Sequence, residues 1–154
     1  MKFFTNNYRQ VREMFKRQLR EHTFKSLFVS GFYAPEEIPE QIDNYLEDQI
    51  PDEVKGEESI SRAADRQEVK ERALAVLEKV PELDEKIASI SEGWKISRIG
   101  KLELNILRLA AYEILFDDAI DAAVAINEAV ELAKKYGDDG APKFINGVLA
   151  KLVK

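Results

Sequence analysis

Arg9, Arg12, Lys16, Arg17 and Arg20 recur at short spacing near the start of the chain, with Tyr8 and Phe15 among them. Wound as an α-helix, Arg9, Arg12, Lys16 and Arg20 fall within about 80° of one another, with Arg17 beside them. Such a line of cations neutralises phosphates and releases their counterions. Interleaved rings add stacking faces for unpaired bases. The chemistry on offer is contact with a nucleic acid. An ordinary solvated helix face has the same pattern, so spacing alone leaves both readings open.

Bond-making chemistry has less to work with. His22 is the single histidine and has no serine or cysteine nucleophile in a recognisable setting around it, so it reads as a partly exposed helix residue. The seven glycines form neither a Walker loop nor GxGxxG. The pairs Glu36/Glu37, Glu57/Glu58 and Asp138/Asp139 fall on loops or solvated faces, where nothing splits their pKa values for acid–base work. Glu113 differs, because it lies between Leu102 and Ile106 on an apolar helix, and a buried carboxylate needs a partner. A structural role is expected for it. Zero cysteines exclude disulfides, thiolate metal sites and thiol nucleophiles. Neither catalysis nor a cofactor or metal is expected.

The elements that position these residues are helical. Glycine and proline are scarce, strand-like alternation is missing, and apolar residues recur every three or four positions. The expected architecture is all-α, about seven helices in two packed three-helix-bundle-like halves, residues 1–80 and 81–154, forming one compact unit. The first helix is expected over Tyr8 to Phe32, with Phe24, Leu27 and Phe28 on one side and Val11, Met14 and Phe15 on another. The second spans Glu36 to Gln49, with Ile38, Ile42, Tyr45 and Leu46 inward. A polar loop over Pro51 to Glu58 leads to a helix over Ser59 to Val80, with Ile60, Ala63, Ala64, Leu74, Leu77 and Val80 inward. Pro81 opens a short helix carrying Leu83, Ile87 and Ile90. Lys101 to Phe116 is apolar nearly all round and should be buried and central. Asp121 is placed to cap the next helix, whose stripe is Ala122, Ile126, Ala129, Val130, Ala133 and Tyr136, with Glu131 and Lys135 paired outside and Gly137 as the stop. Phe144, Ile145, Val148, Leu149 and Leu152 line the last helix.

With 154 residues and 45% hydrophobic content the chain can bury a real core. No stretch approaches the roughly 18 apolar residues of a membrane span, and Met1 to Tyr8 has no signal-like apolar region, so a cytoplasmic protein without membrane contact is expected. The net charge is −6, but residues 1–28 carry seven cations against two carboxylates, a net +5. The remainder carries 16 against 27, a net −11. A basic arm on an acidic body suits two different partners.

Motifs in the second half narrow this. LAAYEI (Leu109 to Ile114), INEAVELAKKYG (Ile126 to Gly137) and KFINGVL (Lys143 to Leu149), preceded by WKISRIGKLELNILRL from Trp94, resemble the NusB family in order and spacing. RQLREHTFKSLF, from Arg17 to Phe28, resembles its arginine-rich first helix more loosely. The resemblance implies an all-helical factor of bacterial transcription antitermination. Such a factor pairs with NusE, a small-subunit ribosomal protein, and binds the single-stranded boxA element of nascent RNA, notably ribosomal RNA, within the transcription elongation complex. It implies an RNA-binding assembly factor, not an enzyme.

Carried over by position, Lys16, Arg17 and Arg20 correspond to basic residues of the RNA-contacting helix, and Lys25 and Phe28 to its later positions. Lys143 and Phe144 match a second RNA-facing element, and Glu103 matches an acidic residue set against NusE. Arg9 and Arg12 extend the basic arm beyond the usual family pattern, and Leu104 replaces a residue that is often basic. Phe144 reads equally as a stacking ring and as core. Trp94 reads as a packing anchor between the halves, and Asn127 and Asn146 as partners of backbone groups at helix junctions. The alternative to an RNA role is an interaction module or homodimer of the same fold, burying the Val11, Met14 and Phe15 side against a second copy.

Overall fold

The computed structural model describes residues 2–51, 57–91 and 93–153, with side chains described from Phe15 in the first stretch and from Arg62 in the second. Among these residues the chain forms seven α-helices and no strand. They are α1 (Lys2–Ser30), α2 (Ile38–Gln49), α3 (Glu57–Glu78), α4 (Val80–Ile90), α5 (Lys101–Phe116), α6 (Ala122–Tyr136) and α7 (Ala141–Leu152), with 3-10 turns at Pro35–Glu37 and Ile96–Arg98. Two compact units divide the chain, residues 1–74 and residues 75–154. No helix among the described residues is long and apolar enough to cross a membrane.

In the first unit, α1 begins at Lys2 instead of Tyr8 and ends at Ser30 instead of Phe32. The early stop has a local cause. Pro35 disfavours helical backbone at Ala34, which is extended at φ −67° and ψ 148°, and the chain unwinds through turns at Gly31 to Tyr33. Phe24 and Leu27 are buried as expected, Phe28 only half so. Beside them Thr23, Ser26 and Ser30 are buried too. Their hydroxyls donate to the carbonyls four residues back, at 2.8, 2.8 and 2.7 Å, so three polar side chains enter the core without an orphaned group.

α2 packs on α1 with Ile42 and Leu46, and α3 is tied to the α2 segment by polar contacts. Lys70 meets Asp43 at 2.9 Å, and the Arg66 guanidinium donates to the Ile50 carbonyl at 2.7 Å. Among the described side chains of α3, Val69, Ala73 and Val76 are buried, on one helical stripe, while Leu74 and Leu77, expected inward, are half-buried. Ala63 and Ala64, expected inward, are exposed, because alanine favours helix without demanding burial. The side chain of Ile60 and most of the expected polar loop lie outside what is described.

The single histidine bridges α1 and α2, with Nδ1 of His22 hydrogen-bonded to the Tyr45 hydroxyl at 3.3 Å. Burial holds the imidazole below its ordinary value of 6.5; Lys25 and Arg62 push the same way and Glu21 opposes them. As pH falls the unfolded chain therefore takes up this proton first. Stability from this group is expected to be complete above pH 6.5 and to be lost as pH falls from there through the depressed value. Urea unfolding on either side of pH 6.5 should show that loss, and His22→Gln should remove it.

In the second unit α5 packs against α4, α6 and α7. Leu104, Ile106, Leu107, Leu109, Ala110 and Ala111 are buried, so the all-round apolar pattern does mark a central helix, although Leu115 and Phe116 emerge at its end. Glu113 is buried, and no buried side-chain polar atom among the described residues lacks a hydrogen-bond partner. Arg108 forms a two-pronged bond to Asp84 of α4, at 2.8 and 2.7 Å. Asp121 sits at the cap position of α6 with extended backbone but makes no side-chain cap bond. Ala125, Ala129, Leu132 and Ala133 are the buried residues of α6, while Glu131 pairs with Lys134 at 3.3 Å and Lys135 stands over the Tyr136 ring.

Gly137 ends α6 in extended, not left-handed, backbone. A Cβ there would stand 2.6 Å from the Ala141 Cβ and 2.8 Å from the Ala133 carbonyl oxygen. The close approach of α7 is what requires glycine at this position.

Candidate nucleic-acid interface

Each unit presents cations and rings at its surface. On α1, Lys16 and Arg17 are exposed and Arg20 is half-buried, one turn beyond Lys16 on the same side. Lys25 is half-buried and 3.5 Å from Glu21, which leaves its charge partly offset. Phe28 meets the edge of Phe32 with ring centres 5.5 Å apart, and Phe32 is mostly exposed at the end of the helix. Phe15 is exposed as well. The side chains of Arg9, Arg12, Val11 and Met14 lie outside the described residues. The first helix therefore carries three of the expected cations along a short arc, and its Phe28 pairs with Phe32 in the turn that follows it.

In the second unit Lys143 is exposed in the first turn of α7, and Phe144 beside it is half-buried, in part core and in part surface. Trp94 does not serve as a buried anchor: it is 53% exposed and stands edge-on to Phe144 with ring centres 5.9 Å apart. The physical reason is the turn before it. Gly93 takes φ +78°, a left-handed conformation natural to glycine, and the Trp94 N–H donates to the Ser91 carbonyl at 3.0 Å, which turns the indole outward after α4. A glycine directly before the tryptophan was the available sequence signal. Asn127 and Asn146 are exposed on α6 and α7 instead of holding junction backbone.

Glu103 lies in the first turn of α5, where a carboxylate complements the helix dipole. Its carboxylate lies so close to Gly100 that a Cβ at that glycine would collide with it. Leu104 next to it is buried, so a basic residue there would be taken out of water.

These surfaces, on a frame of helices with no strand among the described residues, define a small all-helical binding protein whose exposed chemistry suits a polyanion with unpaired rings. The family model for the NusB family matches residues 17–154, and the chain belongs to that family. It is 42% identical over 140 residues to the transcription antitermination protein NusB of Lachnoclostridium phytofermentans, covering 91% of this chain and 99% of that protein. Among solved structures, T. maritima NusB superposes with a TM-score of 0.72 at 29% identity, over 88% of each chain. A crystal structure of the antitermination factors NusB and NusE in complex with dsRNA shares the fold, with a TM-score of 0.70 at 24% identity over 90% of this chain and 96% of that one.

Proposed function

We propose that this protein is an RNA-binding transcription antitermination factor that pairs with NusE and binds boxA-type single-stranded RNA of nascent transcripts, notably ribosomal RNA, in the transcription elongation complex. It acts in the cytoplasm and by binding, without catalysis. The observation that carries this reading is the short arc of Lys16, Arg17 and Arg20 on α1, at the start of a chain matched to the NusB family from residue 17 onward. Phosphate contacts of this kind position RNA, and ring and edge contacts specify it. Phe28, Lys25, Lys143 and Phe144 supply the further contacts, with Arg9 and Arg12 extending the basic stretch. Glu103 and the acidic remainder of the chain, net −11, complement a basic ribosomal protein.

Titrating end-labelled boxA RNA with this protein, with and without NusE, tests the reading. The expected result is weak binding alone and at least about tenfold tighter binding with NusE, as preorganisation of a shared site provides. No gain from NusE at moderate salt would overturn the pairing.

A further inference from the structure

A groove of about 400 Å³ opens in the second unit between the end of α4 and the outer side of α7. Trp94 and Phe144 form its ring-bearing wall, and Gly147, Lys143 and Lys151 belong to its α7 side. Three features are not explained by folding. An indole that contributes mainly to stability is largely buried, yet Trp94 keeps about half its surface in water. Gly147 lies inside a helix, where glycine is unfavourable, and a Cβ built there meets nothing within 4 Å. The glycine therefore serves no close packing; what it leaves is open space in the groove. Finally, Lys143 is exposed along that space, and Lys151 lines it further along the same helix.

We infer that this groove is a stacking cleft for one unpaired nucleobase of the bound RNA, held on the exposed face of Trp94, with Lys143 and Lys151 on the phosphates that flank it. The inference rests on the RNA-binding reading above and adds to it a named ring and the base-sized space beside that ring. The geometry suits a flat, uncharged ring carrying anionic groups on either side. The Trp94 and Phe144 rings are inclined at 64°, so a base stacked on the indole presents its edge to Phe144. Aromatic stacking of this type tolerates different bases, so the cleft contributes affinity and register more than sequence discrimination.

Trp94 is the only tryptophan of the chain, so its emission reports on this cleft alone. Single-stranded boxA-type RNA labelled at one end is titrated into the full chain while label anisotropy and tryptophan emission are followed together. The expected result is quenching of Trp94 with the same midpoint as the anisotropy change. Gly147→Leu, which fills the open space with a good helix former, should abolish the quenching and weaken binding by about tenfold, with the helical circular dichroism unchanged. RNA binding seen by anisotropy with unquenched Trp94, or unweakened binding by folded Gly147→Leu, would overturn the cleft and leave the RNA-binding reading standing. No anisotropy change at all would overturn that reading and the cleft with it.

Discussion

Replacing Lys16, Arg17 and Arg20 together by alanine is expected to weaken single-stranded RNA binding on the order of 100-fold at about 0.1 M salt and to flatten its salt dependence. The magnitude follows from counterion release. Each phosphate neutralised on a single strand contributes about 0.7 to the slope of log affinity against log salt, so three lost contacts reduce the slope by about 2. Lys16 and Arg17 are exposed and Arg20 half-buried on one continuous helix, so the substitutions remove charge without opening the core. Alanine also preserves helix, and circular dichroism should be unchanged. Affinity measured across a salt series decides the matter. A slope equal to that of the unmodified protein would mean that these three side chains are not the phosphate contacts.

The second large effect concerns stability. Arg108→Ala is expected to destabilise the protein by about 2–3 kcal/mol, and Asp84→Ala by a similar amount. The Arg108 and Asp84 side chains retain only 20% and 24% of their exposure, and the guanidinium reaches both carboxylate oxygens. Taking either partner away strands the other charge where water only partly reaches it. Removing both should therefore cost clearly less than the sum of the single losses, with a coupling of about 1–2 kcal/mol. Urea unfolding of the two single variants and the double variant measures this. Strictly additive losses would mean that the pair contributes nothing beyond its separate side chains.

These two predictions draw on different levels of information. The cations of α1 stand in the sequence at helical spacing, and an amphipathic or charged face needs no knowledge of what lies across from it. The Arg108–Asp84 bond joins positions 24 apart, on two helices that touch only after folding, and neither residue belongs to a local pattern that announces the other. The burial of α3 shows the same divide. The residues buried there are Val69, Ala73 and Val76, whereas Leu74 and Leu77, read as inward, are only half-buried and Ala63 and Ala64 are solvated. On α1 the error runs the other way, since Ser26 reads as polar and is fully buried. A hydroxyl that returns to its own helix backbone costs little to bury, and hydropathy does not register that compensation.

The sequence by itself determined the all-helical class, the central place of the Lys101–Phe116 segment and the family, because these depend on residue type, short-range spacing and motif order. The charge asymmetry between residues 1–28 and the rest is equally a property of the chain alone. Only the tertiary structure decided that Trp94 faces solvent beside Phe144, that Gly137 is required by the approach of Ala141 and that Arg108 meets Asp84. Each of those outcomes depends on which surfaces meet and how closely, and distances between residues far apart in the chain exist only once it is folded.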